Sequence, residues 1–165
     1  MTKLPDNPVL LKHYRDGMSD KEIAEVYGVS FQAVNKRLKE LGIWRAPFKV
    51  QAQEILEHVW PASETNRTEY MAINRARDFF YFLRRGLGEK TTTRTLVRGS
   101  ERFDRLIRES GCVLDLRPGE AEGPWVLIPR LESDGNCVIR WPEGRAPFED
   151  EKYRAALELP ETPWG

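Results

Sequence analysis

The stretch "SDKEIAEVYGVSFQAVNKRLKELG", Ser19 to Gly42, leaves a chain few options. Ser19 suits the N-cap of a helix, and Glu22 three residues on can complete a capping box, so a helix is expected to about Tyr27. Gly28 breaks it, Val29 plugs the corner, and Ser30 caps a further helix that continues to Leu41 and stops at Gly42. Ile23, Ala24, Tyr27, Val29, Val34 and Leu38 are the positions that must face inward if two helices meet steeply across a short turn. The small Ala24 admits the approach of the second helix, and Gly28 supplies a sharp turn that a Cβ would resist. This spacing predicts a helix-turn-helix rather than a plain helical hairpin.

On either side the pattern stays largely helical. Pro8 to Asp16 is expected to form a preceding helix with Val9, Leu10 and Tyr14 inward, closed at Gly17. Trp44 to Phe48 reads as a connector, with Pro47 in the first turn of a helix whose body is "KVQAQEILEHV" and which ends at Trp60-Pro61. Its apolar residues Val50, Ile55, Leu56 and Val59 leave much of the surface polar, as a linker helix would. Asn66 with Glu69 is expected to open a long helix, "TEYMAINRARDFFYFLRRG", with Ala72, Ile73, Ala76, Phe79, Phe80, Leu83 and Leu87 in one stripe. A helix from Ser100 to Ser110, with Phe103, Leu106 and Ile107 inward, is its expected partner. "CVLDLR", "WVLIPR" and "NCVIRW" read as three strands of an antiparallel meander, with Asp134-Gly135 as a hairpin turn. A helix around "EDEKYRAAL" follows, and the end at "PETPWG" is expected to be loose. The fold expected is mainly α with a small antiparallel β-sheet. Residues 1–46 are expected to form a helix-turn-helix domain, 47–61 a linker helix, and 62–165 a C-terminal α+β domain expected to serve as a second DNA-binding domain.

Charge sharpens that division. With 165 residues and 40% hydrophobic content the chain can bury a core, and its net charge of zero excludes a simple polycation that coats nucleic acid. The zero is an average. Lys and Arg stand against Asp and Glu as 9 to 9 over residues 1–65, as 11 to 6 over 66–112, and as 6 to 11 over 113–165. The middle is basic and the end acidic.

Two constellations are suited to DNA. In a helix-turn-helix the base-reading side chains lie at the start and along the outer face of the last helix, here Ser30, Phe31, Gln32, Asn35, Lys36 and Lys39. Gln32 and Asn35 can pair with adenine, Phe31 can pack on a thymine methyl, and Lys36 or Lys39 can reach guanine or phosphate. The second constellation is arginine: Arg75, Arg77, Arg84, Arg85, Arg94, Arg98, Arg102, Arg105 and Arg108 fall within 34 residues. Arg102, Arg105 and Arg108, set opposite Phe103, Leu106 and Ile107, are expected to form an outward ridge. The forked guanidinium suits phosphate and guanine, and Lys90, Thr91, Thr92 and Thr93 add further donors. Ion pairs with Asp78, Glu101, Asp104 and Glu109 are expected to occupy some of these arginines.

Catalysis finds little support. His13 and His58 lack a Cys or carboxylate neighbour at ligand spacing, and no phosphate loop, nucleophile elbow or paired metal motif is present. The carboxylates of "FEDEKY" read as a solvated helix. Cys112 and Cys137, without a CxxC pair, read as buried thiols of a reducing compartment. No apolar run approaches a membrane span, and the first residues lack the layout of a secretory signal. No enzyme, cofactor, metal, membrane or small-molecule substrate is expected; the expected partner is double-stranded DNA.

"KEIAEVYGVSFQAV", Trp60-Pro61 at a helix end, the arginine-rich helices, and "VLIPR" and "IRWPEG" together resemble the immunity repressors of temperate mycobacteriophages, the cluster A group that binds scattered stoperator sites. The resemblance covers nearly the full length. It implies a repressor in the cytoplasm of a bacterial host that maintains lysogeny and binds short asymmetric sites as a monomer. Phe31 departs from the polar residue such a repressor would carry there. A rival expectation is a DNA-packaging protein similar to a small terminase subunit, in which the Phe-rich helix serves self-association.

Overall fold

Local capping signals set the N-terminal helices. The computed structural model describes residues 3–43, 47–90 and 93–164, and the chain divides into two units, Met1–Ala46 and Pro47–Gly165. In the first unit α1 (Asn7–Arg15) carries Pro8 in its first turn. Next, α2 (Asp20–Tyr27) opens where Ser19 Oγ accepts the Glu22 N–H at 3.1 Å, and α3 (Phe31–Glu40) opens where Ser30 Oγ accepts the Ala33 N–H at 3.2 Å. Between them Gly28 adopts φ +64°, and both its N–H and that of Val29 close onto the Ala24 carbonyl. The turn therefore takes three residues, Gly28 to Ser30.

Leu10, Ile23, Ala24, Val34 and Leu38 form the core of this unit, with Tyr14, Tyr27 and Val29 packed against it. The six expected inward positions of α2 and α3 are thus in or against the core. Val9, expected inward, is 44% exposed. It sits about 100° around the helix from Leu10, and Leu10 takes the core position. His13 shares a 2.6 Å hydrogen bond with the Tyr27 hydroxyl, which joins α1 to α2.

The second unit comprises α4 (Phe48–Val59), α5 (Ala62–Thr65), α6 (Asn74–Gly86), α7 (Arg94–Ser110), β1 (Cys112–Leu116), β2 (Trp125–Pro129) and α8 (Glu151–Ala156). Its architecture is helical with a two-stranded antiparallel sheet, Cys112 opposite Pro129 and Leu116 opposite Trp125. α4, expected to be a linker, belongs to the core. Ala52 completes a stripe with Ile55, Leu56 and Val59 at intervals of three and four, and all four are buried with Trp60 against α6. Counting only the large apolar residues hides that stripe.

The expected long helix from Asn66 is interrupted. Asn66 takes a left-handed φ of 51°, a 3₁₀ turn covers Arg67–Tyr70, and α6 begins only at Asn74, so Ala72 and Ile73 are exposed. Two contacts hold the break: the distant Trp125 indole N–H donates to the Tyr70 carbonyl, and nearby Arg67 donates to the Trp60 carbonyl and to Glu57. From α6 onward the stripe holds, with Ala76, Phe79, Leu83 and Leu87 buried and Phe82 added to them.

The partner helix starts six residues before the expected Ser100. Gly99 explains the difference, because it is a contact residue and not a breaker: a Cβ there would lie 2.4 Å from Tyr81 Cδ2 and 3.1 Å from Asp78 Oδ1. α6 and α7 run antiparallel across that contact, with Phe79, Phe82 and Phe103 meeting in the core.

The third expected strand does not extend a meander. Residues 136–140 lie on the far edge of β1, where Leu114 bridges Ile139 in parallel, and 157–159 flank them on the other side. Asp134 prevents the hairpin. Its carboxylate accepts from the Leu131 N–H and from Arg140, which winds Glu132–Asp134 into a 3₁₀ turn and sends the chain across β1. Nor is the C-terminal segment loose. Asp104, fully buried, accepts from Arg108 at 3.0 Å and from the Trp164 N–H at 3.0 Å, and Trp164 covers Phe82. Cys112 and Cys137 are free and half-buried, so neither is the buried thiol expected. Among the described residues no helix is long and apolar enough to cross a membrane.

Candidate nucleic-acid interface

The 3.6-residue period divides α3 sharply. Val34 and Leu38 face the core, and Gln32, Lys36 and Lys39 fall on the opposite side, all three exposed. None of these three makes a hydrogen bond or ion pair among the described residues. Ser30 is spent on its cap. Phe31, 46% exposed, lies at the helix start with the Lys21 ammonium 6.0 Å from its ring centre. Asn35 differs from Gln32: its amide donates to Asp20 at 3.3 Å and so is turned toward the start of α2. Arg37, outside the expected set, is held by Asn7 and Glu40. The outer face of α3 thus presents one free amide, two free ammonium groups and one exposed ring.

In the second unit the arginines separate into two groups. The first is engaged. Arg75 donates to the Trp125 carbonyl at 2.7 Å and ties α6 to β2. Arg84 makes a two-pronged contact with Glu89, whose hydrogen-bonded carboxylate raises its already high pKa. Arg102 grips Asp78 in the same way, with the same consequence. Arg85 donates to Ser100 and lies 4.6 Å over the Trp164 ring. Arg108 is bound to Asp104 and to the Pro160 carbonyl, so it is not part of an outward ridge.

The second group is open to solvent. Arg77 on α6 and Arg94, Arg98 and Arg105 on α7 are exposed, with no hydrogen bond or ion pair among the described residues. Eleven residues separate Arg94 from Arg105, close to three helical turns, so the three α7 arginines line one face over about 16 Å. Thr93 is the N-cap residue of α7 without a side-chain cap, and Lys90 is exposed. Thr91 and Thr92 lie outside the described residues, as does Trp44.

Sequence reasoning passed over Lys49 and Arg67, which stand outside the dense arginine run. Arg67 is only 6% exposed and lines a groove with Lys49, Arg77 and Arg84. Lys49 had one signal, on α4, where it and Gln53 lie a turn apart along the flank of the core stripe, beside Leu56. Among the described residues no three His, Cys, Asp or Glu side chains group to hold a metal. His58 donates to the Ala146 carbonyl at 2.7 Å and stacks with Phe148, a structural role.

No protein-family model matches the chain. It is 27% identical over 133 residues to a repressor-like immunity protein of Mycobacterium phage L5, across 76% of this chain and 69% of that protein. The two are distant homologues.

Proposed function

We propose that this chain is a sequence-specific DNA-binding repressor of a temperate phage, which maintains lysogeny and superinfection immunity by binding asymmetric operator and stoperator sites. The observation that carries the reading is the outer face of α3, where Gln32, Lys36 and Lys39 are exposed and unspent directly behind a capped three-residue turn. A polar, solvated face is common on any helix. Here it stands on the second helix of a helix-turn-helix spacing, in a homologue of a phage repressor-like immunity protein.

In this reading α3 enters the major groove with Gln32 on an adenine edge and Phe31 against a thymine methyl. Lys36 and Lys39 hold phosphate or guanine. Asn35 acts chiefly in positioning, since Asp20 holds its amide. A single short recognition helix touches too few base pairs for strong specificity, and the described residues include no heptad zipper for dimerising on a palindrome. The second unit supplies the missing grip through Arg77, Arg94, Arg98 and Arg105, so a monomer covers one asymmetric site. The engaged arginines, among them Arg84 and Arg102, serve the fold.

The packaging reading relied on a Phe-rich helix for self-association. Phe79 and Phe82 are fully buried in their own unit, which leaves that reading without its anchor. Sedimentation of the full chain, free and with a preferred duplex, tests the choice. The free chain should run at its 19.2 kDa monomer mass and the complex should hold one copy per site. A free ring, or two copies on an inverted repeat, would overturn the proposal.

A further inference from the structure

A groove of about 570 Å³ runs along α4, the 3₁₀ turn after α5, and α6. Its lining carries four cations, Lys49, Arg67, Arg77 and Arg84, against one carboxylate, Glu57. Internal pairs absorb part of that charge, since Glu57 accepts from Arg67 at 2.8 Å and Arg84 is bound to Glu89. Lys49 and Arg77 remain, exposed and without a partner among the described residues.

Arg67 is the informative member. It is 94% buried, with Nε on the Trp60 carbonyl and Nη2 on Glu57, and its Nη1 makes no hydrogen bond among the described residues. A guanidinium fixed in this way loses little freedom when it takes an anion, so its remaining donor is preorganised. The same lining holds the half-buried rings of Phe80 and Tyr81. Cations from three elements beside two aromatic rings match a ligand that joins a phosphate to a flat base, and the groove lies in the size range of small-ligand sites.

We propose that this groove binds a nucleoside phosphate, with the phosphate taken by the free cations and Arg67 and the base laid on Phe80 and Tyr81. Two sources supply that chemistry: a free nucleotide, which would act as an effector, or a nucleotide of the bound DNA strand. The second source rests on the DNA-binding reading, and the first does not.

Calorimetric titration of the full chain with adenosine 5′-monophosphate, inorganic phosphate and adenosine tests the site. The nucleotide should bind at least tenfold tighter than phosphate or adenosine alone. Lys49→Glu and Arg77→Glu should each weaken it at least tenfold with an unchanged melting temperature, because both side chains are unpartnered on the surface. Should Arg77→Glu lower the melting temperature, Arg77→Gln supplies the same comparison at neutral charge.

DNA titration of the Lys49→Glu variant identifies the source, because Arg77 already belongs to the proposed DNA grip. A parallel fall in DNA affinity assigns the nucleotide to the strand, whereas unchanged DNA affinity with nucleotide binding lost assigns it to a free effector. A nucleotide that binds no tighter than phosphate, or equally well to every variant, would overturn the site. That failure would leave DNA binding by wild type and its dependence on Gln32 intact, so the two readings fail separately.

Discussion

Replacing Arg94, Arg98 and Arg105 together with glutamine removes three cations from one face of α7 without breaking any hydrogen bond or ion pair among the described residues. Each cation that neutralises a phosphate of duplex DNA contributes about 0.9 to the slope of log affinity against log salt. The three should therefore reduce the slope by about 2.7. Raising salt fourfold, from about 50 to about 200 mM, then costs the variant about 40-fold less affinity than it costs the wild type. The advantage of the wild-type protein shrinks by the same factor. Fluorescence anisotropy across a salt series on one labelled duplex measures both slopes. Arg102→Gln is the internal control: Asp78 holds that guanidinium, so its loss should leave the slope nearly unchanged and cost at most about 1 kcal/mol of stability, as for a half-exposed pair. A triple variant whose slope matches the wild type would refute the assignment of this face to DNA.

Four further outcomes are expected. Gln32→Ala should cost about 1–3 kcal/mol on the preferred site and relax discrimination at one or two base pairs, whereas Lys39→Ala should weaken all sequences alike, as competition titrations can resolve. Gly99→Ala should destabilise the second unit by about 1–3 kcal/mol in urea denaturation, because its Cβ meets Tyr81 at 2.4 Å. Asp104→Ala strands Arg108 and releases the Trp164 N–H, with an expected loss of about 3 kcal/mol and exposure of Phe82 to a hydrophobic dye. Acid unfolding should reveal Asp134. Burial pushes its carboxyl up, but hydrogen bonds from Arg140 and the Leu131 N–H, with the Arg140 and Arg130 charges, outweigh that and hold it below the ordinary carboxylate value. With a depressed folded pKa, its contribution is present above about pH 4 and fades as the pH falls through the lower folded value, so Asp134→Asn should flatten that part of the acid limb.

The first unit was legible because its determinants are local. Ser19, Gly28 and Ser30 mark helix ends within a few residues, and the spacing from Ile23 to Leu38 is set by helical period alone. In the second unit the decisive contacts cross the chain. Nothing near Tyr70 announces that the Trp125 indole will hold its carbonyl and delay α6, and the Asp134-Gly135 pair reads as a hairpin until Arg140 is seen to claim the carboxylate. The C-terminal segment is fixed by Asp104, 60 residues before Trp164. The early start of α7 was missed for the same reason, since the role of Gly99 is set by Tyr81 on another helix.

For the interface the division is similar. Periodicity alone places Gln32, Lys36 and Lys39 on the outside of α3, and they are there. Composition marks the middle of the chain as basic but does not say which arginines are spent. Arg84 and Arg108 are taken by carboxylates four or five residues away, Glu89 and Asp104, whereas Arg85 and Arg102 are claimed by Ser100 and Asp78 on the facing helix.

The proposed repressor uses α3 to read bases and the second unit to grip the neighbouring DNA from the same copy of the chain. Selection of duplex DNA from a random pool by the full chain is the decisive test. One asymmetric motif should be enriched, with Gln32→Ala relaxing one or two positions in one part of it and leaving the remainder intact. Enrichment of a palindrome, or of no motif at all, would contradict that reading.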